Sequence, residues 1–516
     1  MRASLIEQLE DQGEWYQALA LLREQLLREG LSDSFCLHQM GRLHQRLGDL
    51  SKARRAYKSA LRISSNSPRT LNNLALLELQ DLDGKASENW LERGLAIPNL
   101  KLADFELLTA TACELRLFQL RPKEALSFVE QQLAKHVSVM GLSNKAVCLN
   151  KLNLLDEAVG FQQQAINLHL KNFAPHLVNL SLESLIRQPC GSLETSIELQ
   201  LQLMNLGIFM LNCDYSDPEG LRLLISGTAT DQGFWLDENR RKNLWNGDYV
   251  EELIIWDDQG FGDSIQNLYW IKYLSNRACK IRLWLRESLH SLVEKRFQLP
   301  VNCQLELMKK RDQPWDQNIP HLGFYFLPIV LQSFNQTSFR KPYISRVKRP
   351  NSSLYPRIGL VWSAGKHSAP QPERSARARD VPFRELWSCA INWKESFGAN
   401  LFSLQLDKPC FDNLEDSIDL NDLTSLINSS DWLKTAEALE SLDLLISVDT
   451  SVAHLAGAMG IPSILILSCP SDWRWGRNGS ETFLYESFHM VRCSYPGDWS
   501  AAIKEVDLIV KNRFLK

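Results

Sequence analysis

Residues 442–477, LDLLISVDTSVAHLAGAMGIPSILILSCPSDWRWGR, constrain this chain more than any other stretch. Residues 442–448 are apolar and β-prone without alternation, which predicts a strand buried on both faces. The run stops at Asp449, Thr450 and Ser451, and 452–459 (VAHLAGAM) is small, apolar and compatible with a helix. Gly460 ends that helix, Pro462 follows, and 463–468 (SILILS) reads as a second buried strand. The unit is strand, turn, helix, strand. Its turn aims backbone N–H groups and the positive helix end at whatever lies above the sheet, an arrangement suited to phosphate. Thr450 and Ser451 add hydroxyl donors, and His454 lies one turn in. Plainer roles exist for the same residues. Asp449 or Thr450 can cap the helix, and His454 can serve as a core histidine.

An earlier strand-to-helix turn has similar ingredients. Residues 252–256 (ELIIW) read as a buried strand, followed by Asp257, Asp258, Gln259, Gly260, Phe261, Gly262 and Asp263. Gly260 and Gly262 let backbone come close to a ligand. Asp263 opens a helix expected over 263–275, where the dipole alone favours an acid. Further strands are expected at 281–285, 303–308, 357–362 and 401–406, and helices at 432–442 and 500–512. The long loop 363–381 carries Lys366, His367, Arg374, Arg377 and Arg379.

The string D-T-S-V-A-H-L-A-G-A-M-G-I-P at 449–462 resembles the nucleotide-diphosphate-binding motif of the ADP-heptose:lipopolysaccharide heptosyltransferase family. It resembles more closely the bacterial proteins that join such a domain to tetratricopeptide repeats. The following PSDWRWGR at 470–477, Tyr485, and LWNG at 244–247 are similar to the same fused group. Residues 258–263 resemble its E-Q-G-x-G-D segment, with Asp258 where glutamate is usual, which keeps the charge and shortens the reach. The resemblance implies that Asp263 is the general base that takes the acceptor hydroxyl's proton, a role that suits a carboxylate. It implies that Arg379, just ahead of Val381, Pro382 and Phe383, contacts the donor phosphates, as guanidinium does well. It places Gln405 at the border of the nucleotide pocket. Gly260, Gly262, Asp449, Thr450, Ser451 and His454 complete the donor and phosphate set. The chain departs from the family in its longer arginine loop, in lacking an N-D-R string, and in Asp380 where serine is customary.

The implied fold is GT-B, two Rossmann-like halves across a cleft. Asp263 and the turn from Asp449 to His454 are expected to face each other there, separated by room for a diphospho-sugar. Transfer in the family is metal-independent. No D-x-D occurs in either half; Asp81, Leu82 and Asp83 fall between repeat helices. Neither a metal nor a cofactor is therefore expected, only a nucleotide-diphospho-sugar as co-substrate.

The N-terminal third repeats. Gly41 and Ala75, Ala53 and Ser87, Tyr57 and Leu91, and Ala60 and Gly94 are each 34 residues apart. Small residues with one large residue between them resemble the tetratricopeptide repeat, where helices cross closely. Looser copies carry Ala125 with Val129, and Ala146 with Ala158 and Ala165; Gly13, Trp15 and Ala18 lead the first. About four or five repeats are expected, with a degenerate last one near 173–186. Stacked repeats of this kind usually bind a peptide or protein on the concave face.

The expected organisation is thus α plus α/β. A tetratricopeptide α-solenoid occupies 1–186 and a connector 187–248, with a helix over 193–211. The acceptor-side half occupies 249–345 and the nucleotide-sugar half 346–516. A net charge of −4 gives no global field for nucleic acid. Eleven scattered cysteines without a C-x-x-C pair point to reduced thiols in the cytoplasm. No apolar run is long enough to span a bilayer. Two functions remain in view. One is an inverting, metal-independent hexosyl- or heptosyltransferase acting on a glycan or protein, an order of parts shared with the O-linked N-acetylglucosamine transferases. The other is a non-catalytic interaction scaffold with a degenerate transferase-like domain.

Overall fold

The computed structural model of the chain describes residues 14–28, 33–186, 192–224, 243–309, 318–331, 341–347, 354–364, 379–405 and 431–515, with a few isolated positions besides. Lys366, His367, Arg374, Arg377 and Gly13 lie outside the described residues. The chain divides into two compact units, Met1–Lys151 and, from Leu152, the remainder.

The first unit is built of helical hairpins. Ser34–Arg46 packs on Leu50–Ile63, Pro68–Gln80 on Gly84–Leu95, and Leu102–Phe118 on Pro122–Lys135. Ala53, Ala60, Ala75 and Ser87 are buried at these crossings. Gly41 is small because the Tyr57 ring occupies the place of a side chain, and at Gly94 a Cβ would lie 2.7 Å from Leu108. The turns repeat as well. Gly48 and Leu82 are both left-handed, with φ of 78° and 62°. Each is followed by an aspartate whose N–H donates to a carbonyl of the preceding helix, Asp49 to His44 and Asp83 to Glu78. Side chains stitch neighbouring hairpins together: His38 to Thr70 at 2.9 Å, Gln45 to Gln80 at 2.8 Å, and Thr111 to Asn72 at 2.7 Å.

The second unit begins with the helices Leu155–Phe173, Leu193–Cys213 and Pro218–Leu223. Residues 175–186 hold a 3-10 turn at Pro175–Leu177 and a short helix at Leu182–Leu185 in place of a further hairpin. Two parallel sheets follow. The first comprises β1 (Val250–Trp256), β2 (Ala278–Leu285), β3 (Cys303–Leu307) and β4 (His321–Gly323), in the order β3-β2-β1-β4. The second comprises β5 (Arg357–Val361), β6 (Asn400–Ser403), β7 (Asn421–Asp422), β8 (Leu444–Val448), β9 (Ser463–Leu467) and β10 (Phe488–Arg492), in the order β10-β9-β8-β5-β6-β7. β8 and β9 are buried at every residue, as their unbroken apolar runs require.

Helices join the strands right after each sheet's central members. Phe261–Asn267 follows β1 and Ser451–Met459 follows β8. These two helices pack on each other, so one apolar core runs from Leu253 and Ile265 through Ala453 and Leu465. Gly457 makes room on the second helix for the Tyr485 ring. Among the described residues no helix is long and apolar enough to cross a membrane.

Candidate functional site

The turn after β1 is held by its own acids. Asp257 is fully buried and grips Arg286, which donates Nε to Oδ2 at 2.5 Å and Nη2 to Oδ1 at 2.8 Å. The same Nη2 donates to the Gln259 carbonyl at 2.9 Å, and Ser264 Oγ donates to Asp257 at 2.5 Å. Asp258 does not face a cleft. It is fully buried against Gly323, its Oδ1 accepts from Tyr325 N–H at 3.2 Å, and burial pushes its carboxyl far above the usual range. Burial thus works against the charge at this position.

Asp263 is the third residue of its helix, and its two oxygens do different things. Oδ2 accepts from Gly260 N–H at 3.1 Å, the reciprocal half of a helix cap. Oδ1 is paired with the Arg474 guanidinium, which comes from the other sheet's side of the unit.

The turn after β8 is also capped. Thr450 Oγ1 accepts from Ala453 N–H at 3.3 Å and exchanges a hydrogen bond with Ser447 at 3.1 Å. Asp449 is buried, and Arg379 Nη1 donates to its carbonyl at 3.0 Å and its carboxylate at 3.3 Å. His454 is 3% exposed and stacks on Trp475 at 5.1 Å. Its Nδ1 lies 2.9 Å from Tyr485 Oη, and its Nε2 lies 3.7 Å from Asp449. Tyr343 Oη donates to the Ile265 carbonyl at 3.0 Å and the Gln266 carbonyl at 3.2 Å, and the Tyr343 and Tyr485 hydroxyls pair with each other.

The two turns meet. A Cβ on Gly262 would lie 2.8 Å from His454 Cδ2 and 3.4 Å from the Ser451 Cα. The gap expected between the halves is closed at this point, and Gly262 admits the opposite helix where a ligand was expected. Closure is possible because Gly262 has no side chain and because Arg474 neutralises Asp263 at the contact.

The structure thus brings Gly260, Gly262 and Asp263 together with Asp449, Thr450, Ser451 and His454, and adds Arg379. Gln405 sits apart from that contact. Its Oε1 accepts from Ser363 N–H at 3.0 Å and Trp362 N–H at 3.3 Å, so it ties down the end of β5. Asp380 does similar work, accepting from Ala364 N–H at 2.9 Å. Two residues of the cluster had not been singled out, Asp472 and Arg474. Asp472 Oδ1 accepts Arg474 N–H at 3.1 Å and Nε at 3.0 Å. The available signal was Arg474 itself, a charged residue between Trp473 and Trp475, two residues after an aspartate that can cap the turn.

Burial, partly offset by Asp449, lowers the His454 pKa from 6.5 to about 4. Asp263 and Asp472 also raise it, and Arg474 lowers it. The unfolded chain takes up this proton near pH 6.5, the folded one only near pH 4. The group's contribution to stability is complete above pH 6.5 and declines as pH falls towards 4, by up to about 3 kcal/mol. Denaturant titrations at pH 7 and pH 4.5 should show a smaller acid loss for His454→Gln than for the parent. Equal losses would contradict the assignment.

No family model matches this sequence, and no curated protein matches it. Solved structures do. PilF from Pseudomonas aeruginosa aligns at 16% identity over 40% of this chain and 90% of its own, with a TM-score of 0.29. PilW, described as a type IV pilus biogenesis factor, aligns at 15% identity over 43% and 96%, with a TM-score of 0.31. YrrB, described as a TPR protein with an unusual peptide-binding site, aligns at 14% identity over 40% and 89%, with a TM-score of 0.25. The repeat reading rests on the hairpin pairing, the buried small residues and the recurring turns of this chain.

Proposed function

We propose that this protein is an inverting, metal-independent glycosyltransferase of GT-B type that moves a sugar from a nucleotide-diphospho-sugar to a glycan or protein acceptor. One observation carries the reading. Two strand-to-helix turns from two parallel sheets meet, with a carboxylate on one and a helix start, hydroxyls and Arg379 on the other. For the donor to bind, the contact at Gly262 opens, and the diphosphate then lies at the Ser451 end of its helix, where N–H groups, Thr450, Ser451 and the arginine balance its charge. The acceptor oxygen attacks C1 from the Asp263 side and forms the new C1–O bond. The C1–O bond to the diphosphate breaks, its electron pair leaves with the nucleoside diphosphate, and Asp263 takes the acceptor proton. The helical repeats bind the acceptor or a partner protein on their concave face.

A second reading is a repeat scaffold whose transferase-like unit binds without turnover. It is favoured by the engagement of both Asp263 oxygens, one in a cap and one with Arg474. A thermal-shift screen of nucleotide sugars, with nucleoside diphosphate release followed in parallel, separates the two. Binding with release supports the transferase, and binding without release supports the scaffold.

A further inference from the structure

We propose that Arg474 masks the Asp263 carboxylate and is drawn off it by the donor diphosphate, so that the base is released only once donor is bound. The inference rests on the transferase reading above and adds an ordering to it.

Arg474 sits in the 3-10 turn Trp473–Trp475, whose tryptophans are both buried. Its side chain is 14% exposed. Asp472 anchors the residue three times, accepting from the backbone N–H, from Nε and, at 3.3 Å, from Nη2, and so leaves Nη1 to choose a partner. In the structure that partner is Asp263 Oδ1, the oxygen not spent on the helix cap. An acceptor hydroxyl approaching this oxygen meets a guanidinium already there. The guanidinium has to leave before that hydroxyl can donate to the same oxygen.

The alternative partner lies close by. Burial disfavours the Arg474 charge, but Asp472 and Asp263 outweigh it, and Asp449 adds to them. Arg379 in turn acts on Asp472. The group spans both turns: Arg474 pairs with Asp263 on the acceptor side, and its neighbour Trp475 stacks on His454, beside Asp449 and Arg379 on the donor side. Three carboxylates, of Asp263, Asp449 and Asp472, face two guanidiniums. A diphosphate carries more charge than one carboxylate and presents oxygens that guanidinium binds bidentately. It competes for Nη1, the guanidinium nitrogen that pairs with Asp263, while Asp472 keeps Nε and Nη2.

Masking makes a prediction that an ion pair serving only to join the halves does not. If Asp263 and the diphosphate compete for one guanidinium, removing the carboxylate tightens diphosphate binding. The test is calorimetric titration of ADP, UDP and GDP into the full chain, into Asp263→Asn, Arg474→Gln and the double variant. For whichever nucleotide binds the parent, Asp263→Asn should bind it about tenfold more tightly, the worth of one charge-assisted contact. Arg474→Gln should bind it about tenfold more weakly, and the double variant should match Arg474→Gln. Unchanged or weaker binding by Asp263→Asn overturns the masking role while leaving the donor site standing. Should Arg474→Gln fail to fold, the Asp263→Asn result still decides. If none of the three nucleotides binds the parent, the donor-site reading fails and the masking role falls with it.

Discussion

Asp263→Asn is expected to lower sugar transfer by 10²- to 10⁴-fold, the range for loss of a general base, with no loss of nucleotide binding and, where Arg474 masks the carboxylate, a gain. The amide keeps the shape of the carboxylate and can still accept from Gly260 N–H, so the helix cap survives in part. It cannot take a proton at neutral pH. On the barrier the loss amounts to about 3–5 kcal/mol. His454→Ala is the contrasting variant. It removes the ring packed between Asp449, Tyr485 and Trp475 one turn into the helix that starts at Ser451, and should weaken donor binding by about 1–3 kcal/mol with a smaller effect on the chemical step. Measuring product formation beside calorimetric donor affinity for both variants checks the division. Equal effects on rate and binding would mean that the two turns have been given the wrong roles.

Arg286→Ala should be the most damaging substitution near the site for stability. Asp257 is 0% exposed, and both of its oxygens are held by Arg286. Removing the guanidinium leaves a buried carboxylate without its counter-charge, which typically costs about 3–5 kcal/mol. The Gln259 carbonyl loses its donor at the same time, so the turn that carries Gly260 to Asp263 loosens. Denaturant melts of the variant should show this loss. Arg286→Ala/Asp257→Asn should recover much of it, because the buried charge is gone. A loss below 1 kcal/mol in Arg286→Ala would contradict the account of this turn.

Much of the second sheet was legible because its strands are buried on both faces. Residues 444–448 and 463–467 are continuous apolar runs, and Gly460, with φ of 70°, ends the helix between them. The 34-residue recurrence of small residues was equally open to reading, since each must be small to let helices cross. Other features were not. The helix expected at 263–275 is α-helical only over Phe261–Asn267 and becomes a 3-10 helix at Leu268–Leu274. Its Leu-Tyr-Trp-Ile stretch is apolar all round, so periodicity does not separate the two windings. Leu82 takes the left-handed turn that Gly48 takes one repeat earlier, and a leucine gives no turn signal. Asp258 read as a glutamate substitute that keeps its charge, because nothing local shows that β4 pairs with β1 and buries it. The Arg474–Asp263 pair joins residues 211 positions apart and needs both sheets in place before it exists. Gln405 was singled out by resemblance, yet its carbonyl oxygen is committed to the end of β5.

The central claim is that the meeting of the two turns binds a nucleotide-diphospho-sugar. Thermal unfolding of the full chain across a panel of nucleotide sugars tests it most directly. The account predicts that at least one member, at about 100 times its Kd, adds about 2.7 kcal/mol of stability, and that the same ligand protects the chain far less once Thr450→Val and Ser451→Ala remove the hydroxyls at the helix start. A panel in which no nucleotide sugar shifts the melt at millimolar concentration, or one in which the shift survives that double substitution unchanged, would contradict it.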